Sequence, residues 1–146
     1  MAPLLASRRN VTLHLPLALL VALVLLTVAR AGQVPSPMAT HFAHGGQADG
    51  FMSRGVGLSL APGLGALFVI GFAWLTERSS SISSLIIPAA IAYGGLGFAV
   101  GLQLVVLSSN AEVQSAEQAR LSGMGWLSLV APFVMLGAAL ASRVRD

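Results

Sequence analysis

His41, His44 and Asp49 lie within one short polar stretch of a chain that has three histidines and five acids in all. Imidazole and carboxylate are both zinc ligands, so a His-x-x-His pair with a following acid is a candidate metal site. The spacing enforces no geometry, however, because two histidines three apart in a loop are not held on one face as they would be on a helix. The simpler chemistry is a hydrogen bond or ion pair between His41 and Asp49 that shapes the loop. On this reading there is no metal site, His41, His44 and Asp49 being only weak candidates for one, and no cofactor is assigned. Ser36 and Ser53 lack an acid and an oxyanion site at defined spacing, so they make no nucleophilic triad. The chain has no cysteine, which excludes disulfides, thiolate metal sites and thiol catalysis. These absences point away from an enzyme.

The histidines sit in the segment 34–54, which is punctuated by Pro35, Pro37, Gly45, Gly46 and Gly50. Proline fixes φ and glycine opens positive φ, so this composition suits a shaped loop better than a flexible tether. The order of its residues resembles the signature of a bacterial membrane domain family of unknown function. That family is found at the N-terminus of immunity proteins against a sporulation-delaying toxin, among others. Pro35, Thr40, His41, Phe42, Gly46, Asp49, Gly50 and Phe51 fall on the family pattern in order and spacing, and the likeness covers about residues 12–75. The resemblance implies that these eight residues bind a ligand or shape the loop. It also implies a role in toxin immunity or membrane signalling. His41 and Asp49 recur in the pattern, whereas His44 occupies a variable position. The immunity members usually carry further spans and a second domain with a Gly-x-Arg-x-Pro-type stretch, and this sequence has none.

The elements that must position the loop are apolar. Charged residues make up 9% of the chain, against about a quarter in soluble domains. Four runs, at about 12–29, 56–75, 85–107 and 122–141, approach or exceed the roughly 20 residues that cross a bilayer. The expected fold is therefore an all-α integral membrane protein, a single domain of four transmembrane helices. The longest remainder is too short to build a core of its own, so no soluble catalytic domain is expected. All eight basic residues are arginine and none forms the cluster that reads nucleic acid. Arg8, Arg9, Arg78, Arg143 and Arg145 fall on one side of the four spans, and Arg30, Arg54 and Arg120 on the other. By the positive-inside tendency both termini are cytoplasmic. The signature loop, 30–55, and the shorter loop near 108–121 are then extracytoplasmic. Trp74 and Trp126 fall near span ends, where interfacial tryptophans belong. Arg8-Arg9 and the small residues around Ala29–Ala31 mimic a secretory signal, but the first apolar run exceeds the usual signal core of about 7–15 residues. A retained helix is the favoured reading.

Each expected span has one proline. Pro16 and Pro88 are read as lying near helix starts, where a missing N–H costs little, and Pro62 and Pro132 as lying deeper. Small residues recur at four-residue spacing: Gly57, Ala61 and Gly65, then Ala90 and Gly94 with Gly97 and Gly101, then Gly137 and Ala141. Such stripes let helices approach closely. No ionisable residue falls in the core of a span. His14 lies near the cytoplasmic end of the first, and Gln103, Tyr93, Ser59 and Ser128 are read as interhelical hydrogen-bonding groups.

The expected protein is a non-enzymatic, multi-pass protein of the bacterial cytoplasmic membrane with an extracytoplasmic binding or sensing loop. The alternative is an oligomeric transport component or passive channel, which needs polar side chains facing a shared pore. Expected partners are the lipid bilayer and a secreted peptide or another membrane protein, with a homo-oligomer open and no nucleic acid. The topology is testable in a chain free of cysteine. A cysteine at Ser36 should react with an impermeant reagent from outside the cell and one at Ser80 should not. The opposite pattern would invert the orientation.

Overall fold

The computed structural model describes residues 2–78 and 86–121. Helix α1 spans Ala2–Arg30 and ends in a 3-10 turn, Ala31–Gln33. Strands β1, Met38–Phe42, and β2, Ala48–Met52, form a two-stranded antiparallel sheet. Helices α2, Arg54–Arg78, and α3, Ile86–Asn110, follow, and a short 3-10 turn covers Ala116–Gln118. Among the described residues, three helices are long and apolar enough to cross a membrane, over His14–Gln33, Arg54–Arg78 and Ile87–Asn110. The fourth expected span, with Trp126, Ser128, Pro132, Gly137 and Ala141, lies outside the described residues.

The all-α expectation needs one correction, the hairpin of β1 and β2. Its strands are five residues each, and glycine and bulges interrupt their alternation, so periodicity gives little warning of them. The Gly45-Gly46 pair between two short runs was the available hairpin signal. Pro16 also needs correcting. Helix α1 begins well before the apolar run, so Pro16 lies inside it and is buried, not at its start. Pro88 is in the first turn of α3 and Pro62 is inside α2.

The chain reverses at the hairpin, so α1 and α3 run towards it and α2 runs away. Lipid tails are as apolar as the side chains they surround, so the helices need close contact, not water exclusion, to associate. The stripe on α2 supplies it: Gly57, Ala61 and Gly65 are all buried. At Gly65 all three helices meet. A Cβ there would lie 3.1 Å from Leu96 and 3.7 Å from Ala99 on α3, and 3.3 Å from Leu20 on α1. On α3 the close approach to an aromatic ring falls on Gly95, outside the expected stripe: a Cβ there would lie 2.5 Å from Phe68 ring atoms. Phe72 and Tyr93 add an edge-to-face contact at 6.5 Å between ring centres.

Polar groups in the helices mostly serve their own helix. Thr27 donates to the Leu23 carbonyl and Thr76 to that of Ala73. Ser59 donates to Val56 and so makes this bond within α2, not the interhelical one expected of it. His14 is exposed. Trp74 is exposed near the end of α2, with the Arg78 guanidinium 4.0 Å from its ring centre. Gln103 is 1% exposed, and among the described residues its side-chain amide has no hydrogen-bond partner.

Candidate functional site

The hairpin caps one end of the helices and is held from three sides. Beneath it, Met38 is fully buried in a cluster with Val34, Leu58, Val106 and Leu107. Gly57 in the first turns of α2 makes this close approach possible. A Cβ there would come within 2.6 Å of the Met38 sulfur and 3.1 Å of the Thr40 methyl. Arg54 donates to the Val34 carbonyl at 3.2 Å, tying the start of α2 to the chain entering the hairpin. Pro35 is half-buried on this approach, and the Ser36–Pro37 peptide bond is cis.

The sheet is clasped at β1 by a side chain. Asn110, the last residue of α3, is fully buried and treats β1 as a neighbouring strand would. The Ala39 N–H donates to Asn110 Oδ1 at 2.8 Å, and Asn110 Nδ2 donates to the Ala39 carbonyl at 2.8 Å and to the Val106 carbonyl at 2.9 Å. The turn is held by the chain after α3. The Leu121 N–H donates to the Gly46 carbonyl at 2.8 Å, and Gln47 pairs with Arg120 in an isolated antiparallel bridge. In this covering segment the Glu117 carboxyl is held below the usual carboxylate range by a hydrogen bond from its own backbone N–H and by the Ser115 side chain.

The turn between the strands explains both glycines. The Gly46 N–H donates to the Ala43 carbonyl at 2.9 Å and the Ala43 N–H to the Gln47 carbonyl at 2.8 Å. Gly45 has φ 105° and Gly46 φ 79°, values that strain other residues. Gly46 has a second reason, because a Cβ there would lie 3.0 Å from the Leu121 carbonyl oxygen. The strands pair Met38 with Met52, Ala39 with Phe51, His41 with Gly50 and Phe42 with Ala48. Register shifts on both sides of His41 leave Thr40 and Asp49 unpaired in the ladder.

Those shifts bring His41 and Asp49 together. Nδ1 of His41 lies 2.6 Å from Oδ1 of Asp49. A carboxylate only accepts, so Nδ1 donates in this contact, and Nε2 is left on a ring whose side chain is 75% exposed. Gly50 makes room for the imidazole, since a Cβ there would lie 2.7 Å from the His41 Cβ. Thr40 Oγ1 reaches the Gly50 carbonyl at a long 3.5 Å. Phe42 is half-buried and Phe51 is 42% exposed beside the exposed Met52. The expected site residues thus converge on one small hairpin, Pro35 on its approach and Gly46 at its turn. His44 is exposed on the turn, and no group of three His, Cys, Asp or Glu residues gathers among the described residues.

An exposed pair of this kind contributes only about 0–1 kcal/mol to stability. His41→Ala and Asp49→Ala should each leave unfolding in detergent little changed. The double variant should lose little beyond either single one, as coupled residues do. Gly50→Ala should break the same contact by displacing the ring, and the loss would show as a change in the His41 side-chain NMR signals at fixed pH. If His44→Ala proves as damaging as His41→Ala, and zinc raises the melting temperature of the wild type alone, the two histidines form a metal site instead.

Two features of the site were not anticipated, the Asn110 clasp and the hold of 120–121 on the turn. Asn110 could have been noticed as a polar residue ending an apolar run, where helix-stop residues gather. Its partner, 71 residues earlier, has no local signature. The chain resembles a known family model over about a third of its length: residues 18–66 match a domain of unknown function (DUF1648). The matched region runs from within α1, through the hairpin, to within α2. No curated protein and no solved structure matches the chain.

Proposed function

We propose that this chain is a non-enzymatic, multi-pass membrane protein that works by binding, with the hairpin as its recognition element. The observation that carries the reading is the way the hairpin is fixed. Asn110 clasps β1 at Ala39, residues 120–121 hold the turn at Gly46 and Gln47, and the base is packed on Gly57, while the His41–Asp49 pair and Phe51 stay exposed. Holding a polar pair and an aromatic ring in a rigid frame lowers the ordering cost of binding. Asn110 engages the backbone of Ala39 and the 120–121 segment that of Gly46 and Gln47, so the hairpin is anchored at both points and recognition is assigned to its exposed side chains. Asp49 engages Nδ1 of His41 and thereby leaves Nε2 as the nitrogen an incoming group can meet.

On this reading the helices sit in the bacterial cytoplasmic membrane with both termini inside and the hairpin outside. The ligand is a secreted peptide or the outer part of another membrane protein, and the biological setting is toxin immunity or membrane signalling. The test is protection. Cells making the protein are challenged with a secreted membrane-active peptide and compared with cells making His41→Ala or Asp49→Ala at equal membrane abundance. Survival that depends on the pair supports immunity, and equal survival in all three rules it out.

The second reading, a passive channel or transport component, rests on Gln103, a buried amide in α3 with no partner among the described residues. Purified protein in sealed vesicles distinguishes it. Solute flux above that of empty vesicles, lost in Gln103→Leu, favours a pore over a recognition module.

A further inference from the structure

A groove of about 160 Å³ opens between the ends of α1 and α3, just below the hairpin. Both helices run towards the hairpin, so lower residue numbers lie deeper in the apolar layer. Leu26 and Leu104 form the deep end, Arg30, Gln33, Leu107 and Ser108 lie nearer the hairpin, and Val34 and Ala111 close the groove at the hairpin side. Arg30 is one helical turn above Leu26, and Ser108 one turn above Leu104, a rise of about 6 Å. Leu104, 41% exposed, marks the open side.

We propose that this groove binds one anionic phospholipid from the leaflet on the hairpin side, with the upper part of an acyl chain against Leu26 and Leu104 and the phosphate on Arg30. Three observations converge on it. The groove's deep end, Leu26 and Leu104, is apolar, and its polar groups, Arg30, Gln33 and Ser108, all lie a turn or more nearer the hairpin, as a lipid's headgroup lies beyond its chains. Its size is below the roughly 300–1,000 Å³ of sites that enclose a whole small molecule, so it fits part of a ligand whose remainder lies elsewhere. No carboxylate lines it, and its single charge is a guanidinium, the side chain best shaped for phosphate. The Arg30 side chain spends one donor on Gln33 Oε1 at a long 3.3 Å, which leaves the others for a headgroup. The competing role for Arg30 is to complement the dipole at the end of α1. That role gives no reason to prefer one lipid class over another.

The experiment is native mass spectrometry of the full chain with equal amounts of phosphatidylglycerol and phosphatidylcholine of matched acyl chains. The expected result is about a fivefold preference for one bound phosphatidylglycerol, the ratio that about 1 kcal/mol per arginine at a membrane surface gives at 1.4 kcal/mol per tenfold. Arg30→Gln should abolish the preference. Arg78→Gln, at the far end of α2, should keep it. Leu104→Trp, which fills the deep end without touching the charge, should lower retention of the bound lipid and covers the case in which Arg30→Gln fails to fold. Equal retention of the two lipids overturns the proposal, as does a preference that survives Arg30→Gln or undiminished retention in Leu104→Trp. Inorganic phosphate is the remaining probe. If it displaces the bound phosphatidylglycerol at comparable concentration, the site recognises a free anion and the lipid assignment fails.

Discussion

Asn110→Ala is expected to destabilise the protein by roughly 3 kcal/mol and to free the hairpin from α3. The side chain is fully buried and bonds both backbone groups of Ala39, itself fully buried. Truncation leaves a buried N–H and a buried carbonyl without partners, each costing about 1–3 kcal/mol. The third bond, to Val106, matters less, because that carbonyl belongs to the last turn of α3 and can turn to its own helix or to water. Asn110→Leu separates hydrogen bonding from packing. Leucine fills similar space but offers Ala39 nothing, so it should behave like alanine. Thermal unfolding in detergent measures the loss, and hydrogen exchange at the Ala39 amide locates it. An Ala39 amide that stays protected in both variants, with unchanged melting, would mean that the base of the hairpin is held by Met38 on Gly57 alone.

That clasp shows where sequence reasoning stops. The helices were legible because a bilayer imposes a length and a composition. The run at 56–75 became α2 at Arg54–Arg78, and the run at 85–107 became α3 at Ile86–Asn110. The errors fell at the ends: α1 continues towards the N-terminus beyond its apolar run, which moved Pro16 from a start to an interior. The stripe Gly57, Ala61, Gly65 was legible from spacing alone, since four-residue steps share a helix face. The hairpin was legible only as a shaped segment. Its strands are short, and the shifts flanking His41 break the two-residue alternation that marks a strand. The His41–Asp49 contact could be anticipated from two complementary side chains and intervening glycines. Its frame could not, because Asn110 and Leu121 reach the hairpin across more than seventy residues of chain. One sequence carries no record of which distant residues meet.

Gly65→Leu is expected to be the most damaging change within the helices, and Gly63 supplies its control. The two glycines are two residues apart on α2, so they face different directions around the helix. A Cβ at Gly65 would meet Leu96, Leu20 and Ala99 within 3.1–3.7 Å, whereas nothing lies within 4 Å of one at Gly63. Leucine at Gly65 must push α1 and α3 away from α2. Overpacking of this kind costs about 1–3 kcal/mol, and separating the helices forfeits the close contact on which association in lipid depends. Leucine at Gly63 meets open space and gains helix propensity of somewhat under 1 kcal/mol relative to glycine. The two variants add the same atoms to the same helix, so composition and detergent binding largely cancel in the comparison. Gly63→Leu should melt at or slightly above the wild-type temperature and Gly65→Leu well below it, with Ala61→Leu on the buried side of the comparison. Equal melting of Gly63→Leu and Gly65→Leu would mean that both faces look onto lipid and that the three-helix junction is not where the helices are held. A Gly65→Leu protein that unfolds early yet keeps the Ala39 amide protected would further show that the hairpin, clamped by Asn110, holds α3 beside β1 after the helices below have parted.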